Sequence, residues 1–194
     1  MSSQPNGQLV AAPASPLTQL NDPVSLPGAK PRRATPQDTD RYRLHVVATS
    51  IADVVTSIGG LIFDRVMAGW DVTVAVAGGV EGEADRALRI LGARVATAAE
   101  TDSTGSAPRP HVLAVASDVF VANEPVRRLA LAARKGDATE VLLWGRRRPP
   151  NLDGRFVPAR HRPSAAAQVF KSHALAARGS FAAEPAEEGF YSMA

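Results

Sequence analysis

Leu44-His45-Val46-Val47-Ala48-Thr49-Ser50-Ile51-Ala52-Asp53-Val54-Val55 decides how the chain is read. Its first five residues are short and apolar and include β-branched valines, which suits a buried strand better than a helix. Ser50 then takes the place of a helix N-cap, and Asp53 three residues on completes a capping box. Beyond it Ile51, Val54, Val55, Ile58, Leu61, Ile62 and Val66 recur at helical spacing, and Gly69 supplies the stop. The stretch predicts a buried strand feeding an amphipathic helix over about 51–68, the first βα unit of a parallel sheet. Gly59-Gly60 inside that helix costs about 1 kcal/mol per glycine relative to alanine, so a close backbone approach is expected there, with packing on the sheet as its simplest cause.

The same alternation continues downstream. Asp71 to Ala77 reads as a second strand, Glu83 to Leu91 as a helix, and Arg94 to Ala98 as a third, shorter strand. After an aperiodic stretch from Ala99 to Pro110, His111 to Ala116 makes a fourth strand. A helix from Asn123 or Glu124 to Lys135 and a fifth strand over Glu140 to Trp144 follow. With no hairpin signal, this order predicts an α/β fold, a small three-layer Rossmann-like domain whose mostly parallel sheet runs 3-2-1-4-5. The topological switch point then falls between strands one and four, at Thr49-Ser50 and Ser117-Asp118, where such a fold binds small ligands.

Composition agrees with that class. The 194 residues are 45% hydrophobic but only 5% aromatic, so the core must be built from Val, Leu, Ile and Ala, as buried parallel strands prefer. There is no cysteine, which excludes disulfides, thiolate metal sites and a Cys nucleophile. The four histidines, His45, His111, His161 and His173, show no short ligand spacing, and no metal site is expected. No cofactor can be named from the residues. A cytoplasmic protein is expected, since the first residues lack a basic start and apolar run, and Asp53 and Asp64 interrupt the most hydrophobic stretch.

Three domain-level segments are expected. Residues 1–40 hold seven prolines without apolar periodicity and read as a disordered extension. Residues 41–145 form the α/β domain. Residues 146–194 read as a basic linker, an amphipathic helix over about 164–178 and a flexible end. The net charge is +3, and its excess lies in this last segment, which carries eight basic and four acidic residues. The domain itself is near neutral, which argues against nucleic acid.

Three constellations could carry function. Ala77-Gly78-Gly79-Val80-Glu81-Gly82 resembles a phosphate-binding turn, and Glu100 falls 18 residues after Gly82, but Ala77 replaces the first glycine and Glu81, Glu83 and Asp85 crowd the helix start. An ordinary tight turn is the better reading, and dinucleotide binding is disfavoured. The second is the ligand-binding candidate Thr49, Ser50, Ser117 and Asp118, with Asp53, Asn123 and Glu124 nearby; helix capping alone also accounts for these residue types. The third is a partner-binding surface on Arg146, Arg147, Arg148, Val169, Phe170, Lys171 and His173, with docking on the chain's own domain as the plainer option. The sequence thus favours a non-catalytic, partner-binding or regulatory α/β module that meets a protein through its C-terminal segment. The alternative is a small nucleotide- or cofactor-binding, transferase-like enzyme using the cleft between strands one and four. No Ser-His-Asp arrangement stands out by spacing.

Overall fold

Alternating apolar strands and amphipathic helices close into one mixed sheet in the computed structural model, which describes residues 41–76, 84–96, 109–135, 139–145, 156–180 and 185–193. The elements are β1 (Arg43–Ala48), α1 (Ile51–Met67), β2 (Asp71–Val76), α2 (Ala84–Ile90), β3 (Arg94–Val95), β4 (Val112–Ala116), α3 (Ser117–Ala122), α4 (Glu124–Lys135), β5 (Glu140–Trp144), β6 (Phe156–His161), α5 (Ala165–Ala176) and β7 (Glu188–Met193). The sheet order is β3-β2-β1-β4-β5-β7-β6. Its first five strands pair in parallel and stand in the expected order 3-2-1-4-5.

Two strands go beyond that expectation. β7 pairs antiparallel with β5, and β6 antiparallel with β7, so seven strands are present among the described residues rather than five. The C-terminal segment, expected to be a linker, a helix and a flexible end, therefore extends the sheet. Phe156, Phe190 and Met193 enter the core from these strands.

β4 lies at the centre and is buried along its whole length, whereas β1 alternates between buried and half-buried residues. A strand covered on both faces must be apolar throughout, and Val112-Leu113-Ala114-Val115-Ala116 is. α1 starts where Ser50 Oγ accepts the Asp53 backbone N–H at 3.2 Å. It ends at Ala68, with Gly69 at a positive φ of 84° and the Gly69 and Trp70 amides bonded to Val66 and Arg65 carbonyls. Its apolar face, including Val54, Val55, Ile58 and Ile62, is fully buried.

The glycine pair in α1 is met by the C-terminal segment, by Pro163, by Lys171 of α5 and by Glu188 of β7, a strand of the sheet. A Cβ on Gly60 would lie 2.6 Å from Pro163 Cγ, and one on Gly59 would lie 3.3 Å from Lys171 Cγ. Lys171 Nζ donates to Glu188 Oε1 at 2.6 Å, and the Gly60 and Leu61 amides donate to the two Glu188 oxygens at 2.8 Å each. α5 and β7 are thereby locked to α1 through a buried ion pair.

A second clasp binds the β6–α5 turn to the same helix. Asp64 Oδ1 accepts from Ser164 Oγ at 2.6 Å, and its Oδ2 accepts the Ser164 amide at 3.0 Å and lies 2.9 Å from His161 Nε2. Partial burial pushes the Asp64 carboxyl up, but the bonds from Ser164 and His161 outweigh it and hold the group below its ordinary value of 3.8. A carboxyl depressed in the folded state stabilises it above that ordinary value and loses its contribution as pH falls through the lower folded value. Asp64→Asn should therefore cost stability at neutral pH, and that cost should shrink from about pH 5 to about pH 2. Urea midpoints of both proteins across this range check it; a difference independent of pH would remove the clasp's electrostatic role.

No helix among the described residues is long and apolar enough to cross a membrane.

Candidate functional site at the carboxyl ends of β1 and β4

Thr49 and Ser50 leave the end of β1, and Ser117 and Asp118 leave the end of β4, its neighbour in the sheet. The loops meet: Thr49 Oγ1 donates to Asp118 Oδ2 at 3.1 Å. The expected juxtaposition at the switch point is thus present, and both side chains are exposed to solvent. Asp118 Oδ1 also accepts its neighbour's amide, Val119 N–H, at 2.8 Å, as an acid in the first turn of α3 does.

Ser50 is engaged as the α1 cap, but Asp53 does not complete the expected reciprocal box. Its Oδ1 accepts from Ser57 Oγ at 2.9 Å, and its Oδ2 from Trp144 Nε1 at 2.8 Å. Trp144 ends β5 and is buried, so this bond ties the end of β5 to the first turn of α1. Sequence reasoning missed Trp144, because nothing in its spacing points at a residue 91 positions away. Asn123 Oδ1 accepts the Val126 amide at 3.1 Å and caps α4, while Glu124 pairs with Arg127 and Arg128 along the helix.

Ser117 stands apart. It is buried, and its Oγ has no hydrogen-bond partner. Gly145, which follows β5 with a φ of 126°, lies against it: a Cβ there would sit 3.5 Å from the hydroxyl.

The groups named at this crevice are hydroxyls and carboxylates. They match the hydrogen-bond donors of a ligand and would repel phosphates. Among the described residues no group of three or more His, Cys, Asp or Glu could hold a metal ion. The glycine turn at Ala77 to Gly82 and Glu100 lie outside the described residues, as do Arg146, Arg147 and Arg148.

Ser164, Asp64 and His161 do come together, with Asp64 about a hundred positions before the other two, as the reading by spacing could not show. Asp64 lies in the middle and takes the serine proton's hydrogen bond itself, whereas a catalytic triad needs the histidine between serine and acid. Ser164 Oγ also accepts the Ala167 amide and caps α5. The cluster is a clasp.

The partner-binding surface requires correction. Lys171 is only 1% exposed and is consumed by Glu188. Phe170 is 42% exposed but stacks on Phe63 with ring centroids 4.5 Å apart. Val169 and His173 stay exposed on the outer side of α5. The helix docks on its own domain through α1, the plainer of the two options.

No known sequence family matches the chain, and no curated protein matches it. Its fold does have solved counterparts. The A40926 pseudoaglycone deacetylase Dbv21 superposes with a TM-score of 0.51 at 16% identity, over 78% of this chain and 97% of that one. The zinc-inhibited form of the teicoplanin deacetylase Orf2 gives 0.55 at 12% identity, over 78% and 98%. A deacetylase–teicoplanin complex gives 0.53 at 14% identity, over 77% and 97%. These counterparts are enzymes, and together with the docked C-terminal helix they overturn the reading of a non-catalytic, partner-binding or regulatory module. At such identities the likeness extends to the fold: the chain shares the mixed α/β architecture of these deacetylases over nearly their whole length.

Proposed function

We propose that the chain is an enzyme that takes an acylated small molecule into the crevice of Thr49 and Asp118 and hydrolyses its acyl bond. The observation that carries this reading is the Thr49–Asp118 hydrogen bond, which sets an exposed carboxylate at the switch point of the sheet. The company of the fold supports it, since the counterparts are named as deacetylases. The reading keeps the enzyme half of the alternative drawn from the sequence, and drops its nucleotide half because the crevice groups are acidic or neutral.

In this reading Asp118 is the general base. Water oxygen bonds to the acyl carbon while its proton passes to Asp118; the bond from acyl carbon to nitrogen then breaks, and the leaving nitrogen takes that proton. Thr49, through its hydrogen bond, holds the carboxylate in place. The described residues supply no three-ligand metal set, so no step is routed through a metal.

p-Nitroacetanilide serves as the probe, because its hydrolysis releases coloured p-nitroaniline. Wild-type protein should release it, and Asp118→Asn should lower the rate by about a hundredfold or more, the usual weight of a general base, while its melting temperature should fall by only about 2 to 4 °C because the amide keeps one of the two accepted hydrogen bonds. An inert wild type, or a variant as active as the wild type, would remove the proposal.

A further inference from the structure

Trp144 is the last residue of β5 and is 1% exposed, and its indole Nε1 donates to Asp53 Oδ2 at 2.8 Å. The sheet order puts β4 between β1 and β5, so this bond reaches past the strand that leads into Asp118. On one side it holds the end of β5, where Trp144 stands in register with Ala116, two residues before Asp118. On the other it holds the first turn of α1, whose N-cap, Ser50, adjoins Thr49. Capping alone does not explain Asp53. An acid that only caps accepts amides of its own helix, whereas both Asp53 oxygens accept from side chains, Oδ1 from Ser57 Oγ and Oδ2 from the indole.

Resting on the reading of Asp118 as the general base of an acyl-bond hydrolase, we infer that Trp144 and Asp53 are its positioning residues: their bond sets the start of α1 against the end of β5, so that Thr49 stands where it holds the Asp118 carboxylate. The connection is continuous. The Asp53 amide donates to Ser50 Oγ at 3.2 Å, and the Val54 amide donates to the Ser50 carbonyl at 3.2 Å. Ser50 is joined by one peptide bond to Thr49, whose Oγ1 meets Asp118 at 3.1 Å. An indole N–H donates only along its ring plane, and its bond to a carboxylate is charge-assisted, so it fixes direction as well as distance. A base displaced by about an ångström from its productive place loses rate without losing its pKa or its substrate.

Hydrolysis of p-nitroacetanilide by the full chain, at a temperature where circular dichroism shows each variant folded, separates positioning from a merely structural role. Trp144→Phe keeps a ring in the buried place but removes the N–H, and should lower kcat about tenfold with KM unchanged. Asp53→Leu cuts the same bond from its half-buried end and should do the same, and it serves where the loss of the indole unfolds the chain. Combined, the two substitutions should cost no more than either alone, since one bond is lost in all three proteins. Asp53→Asn keeps an amide oxygen for the indole and an NH2 group for Ser57 Oγ, and should retain the wild-type kcat. Asp64→Asn loosens the clasp towards the other end of α1 and should leave kcat untouched. An inert wild type overturns the inference together with the reading on which it rests. With an active wild type, the inference alone falls if cutting the bond leaves kcat intact, if the loss lies in KM, if Asp53→Asn is as slow as Asp53→Leu, or if Asp64→Asn slows the reaction equally.

Discussion

Lys171→Met should destabilise the chain by about 3 kcal/mol, the lower end of what breaking a buried ion pair costs. Both partners are 1% exposed, and Lys171 Nζ meets Glu188 Oε1 at 2.6 Å. Methionine matches the length of the lysine stem, so packing against Gly59 survives while Glu188 keeps its charge without a counter-charge. The loss stays at the lower end because the Gly60 and Leu61 amides still donate to the carboxylate. Lys171→Met with Glu188→Gln removes both charges and leaves an amide oxygen for the Gly60 amide. That double variant should be more stable than Lys171→Met alone, the sign of direct coupling. Urea unfolding of the four proteins measures it. Additive losses, or a neutral Lys171→Met, would mean that the pair does not hold α5 and β7 to α1.

Gly60→Ala should destabilise by about 1 to 3 kcal/mol, although helix propensity alone would favour alanine by about 1 kcal/mol. The added Cβ would lie 2.6 Å and 2.7 Å from Pro163 Cγ and Cβ and 3.0 Å from Glu188 Oε1. A proline ring cannot swing away, and the Glu188 carboxylate is fixed by three donors. Gly59→Ala provides the comparison. Its Cβ would meet Lys171 Cγ at 3.3 Å and Leu91 Cδ1 at 3.4 Å, flexible side chains that can yield by tenths of an ångström. It should be near neutral. If both substitutions stabilise equally, the C-terminal segment does not press on α1 at this point.

These two effects mark where the sequence was hardest to read. The parallel core was legible because Leu44 to Ala48, Asp71 to Val76, Val112 to Ala116 and Glu140 to Trp144 are short apolar runs separated by helices of clear period. The Gly59-Gly60 pair signalled a close approach, and the sheet accounts for part of it through Glu188 of β7, while Pro163 and Lys171 come from outside the sheet. β6 and β7 were not legible. Phe156-Val157-Pro158-Ala159-Arg160-His161 carries a proline and two basic residues, which suit the edge strand it forms. Glu188 heads β7 and looks like a solvent-facing acid until Lys171, 17 residues earlier, is seen to neutralise it. Reading Lys171 as a partner contact followed from its neighbours in sequence; burial against α1 is a tertiary fact.

The candidate site was read in part. The topology argument brought Thr49 and Asp118 together, and their hydrogen bond bears it out as geometry. It could not show that Trp144 fixes Asp53 or that Ser117 is left without a partner. Those depend on how β5 ends beside β4, which no periodicity encodes.

The most direct test of the crevice as the substrate site is amide chemical-shift mapping of the full chain on addition of acetanilide. Shifts confined to Thr49, Ser50, Ser117, Asp118 and Gly145, and abolished by Asp118→Asn, are the predicted result. Shifts centred on the outer face of α5 or on the ring cluster of Tyr42, Trp70 and His111, with none at Thr49 or Asp118, would contradict it.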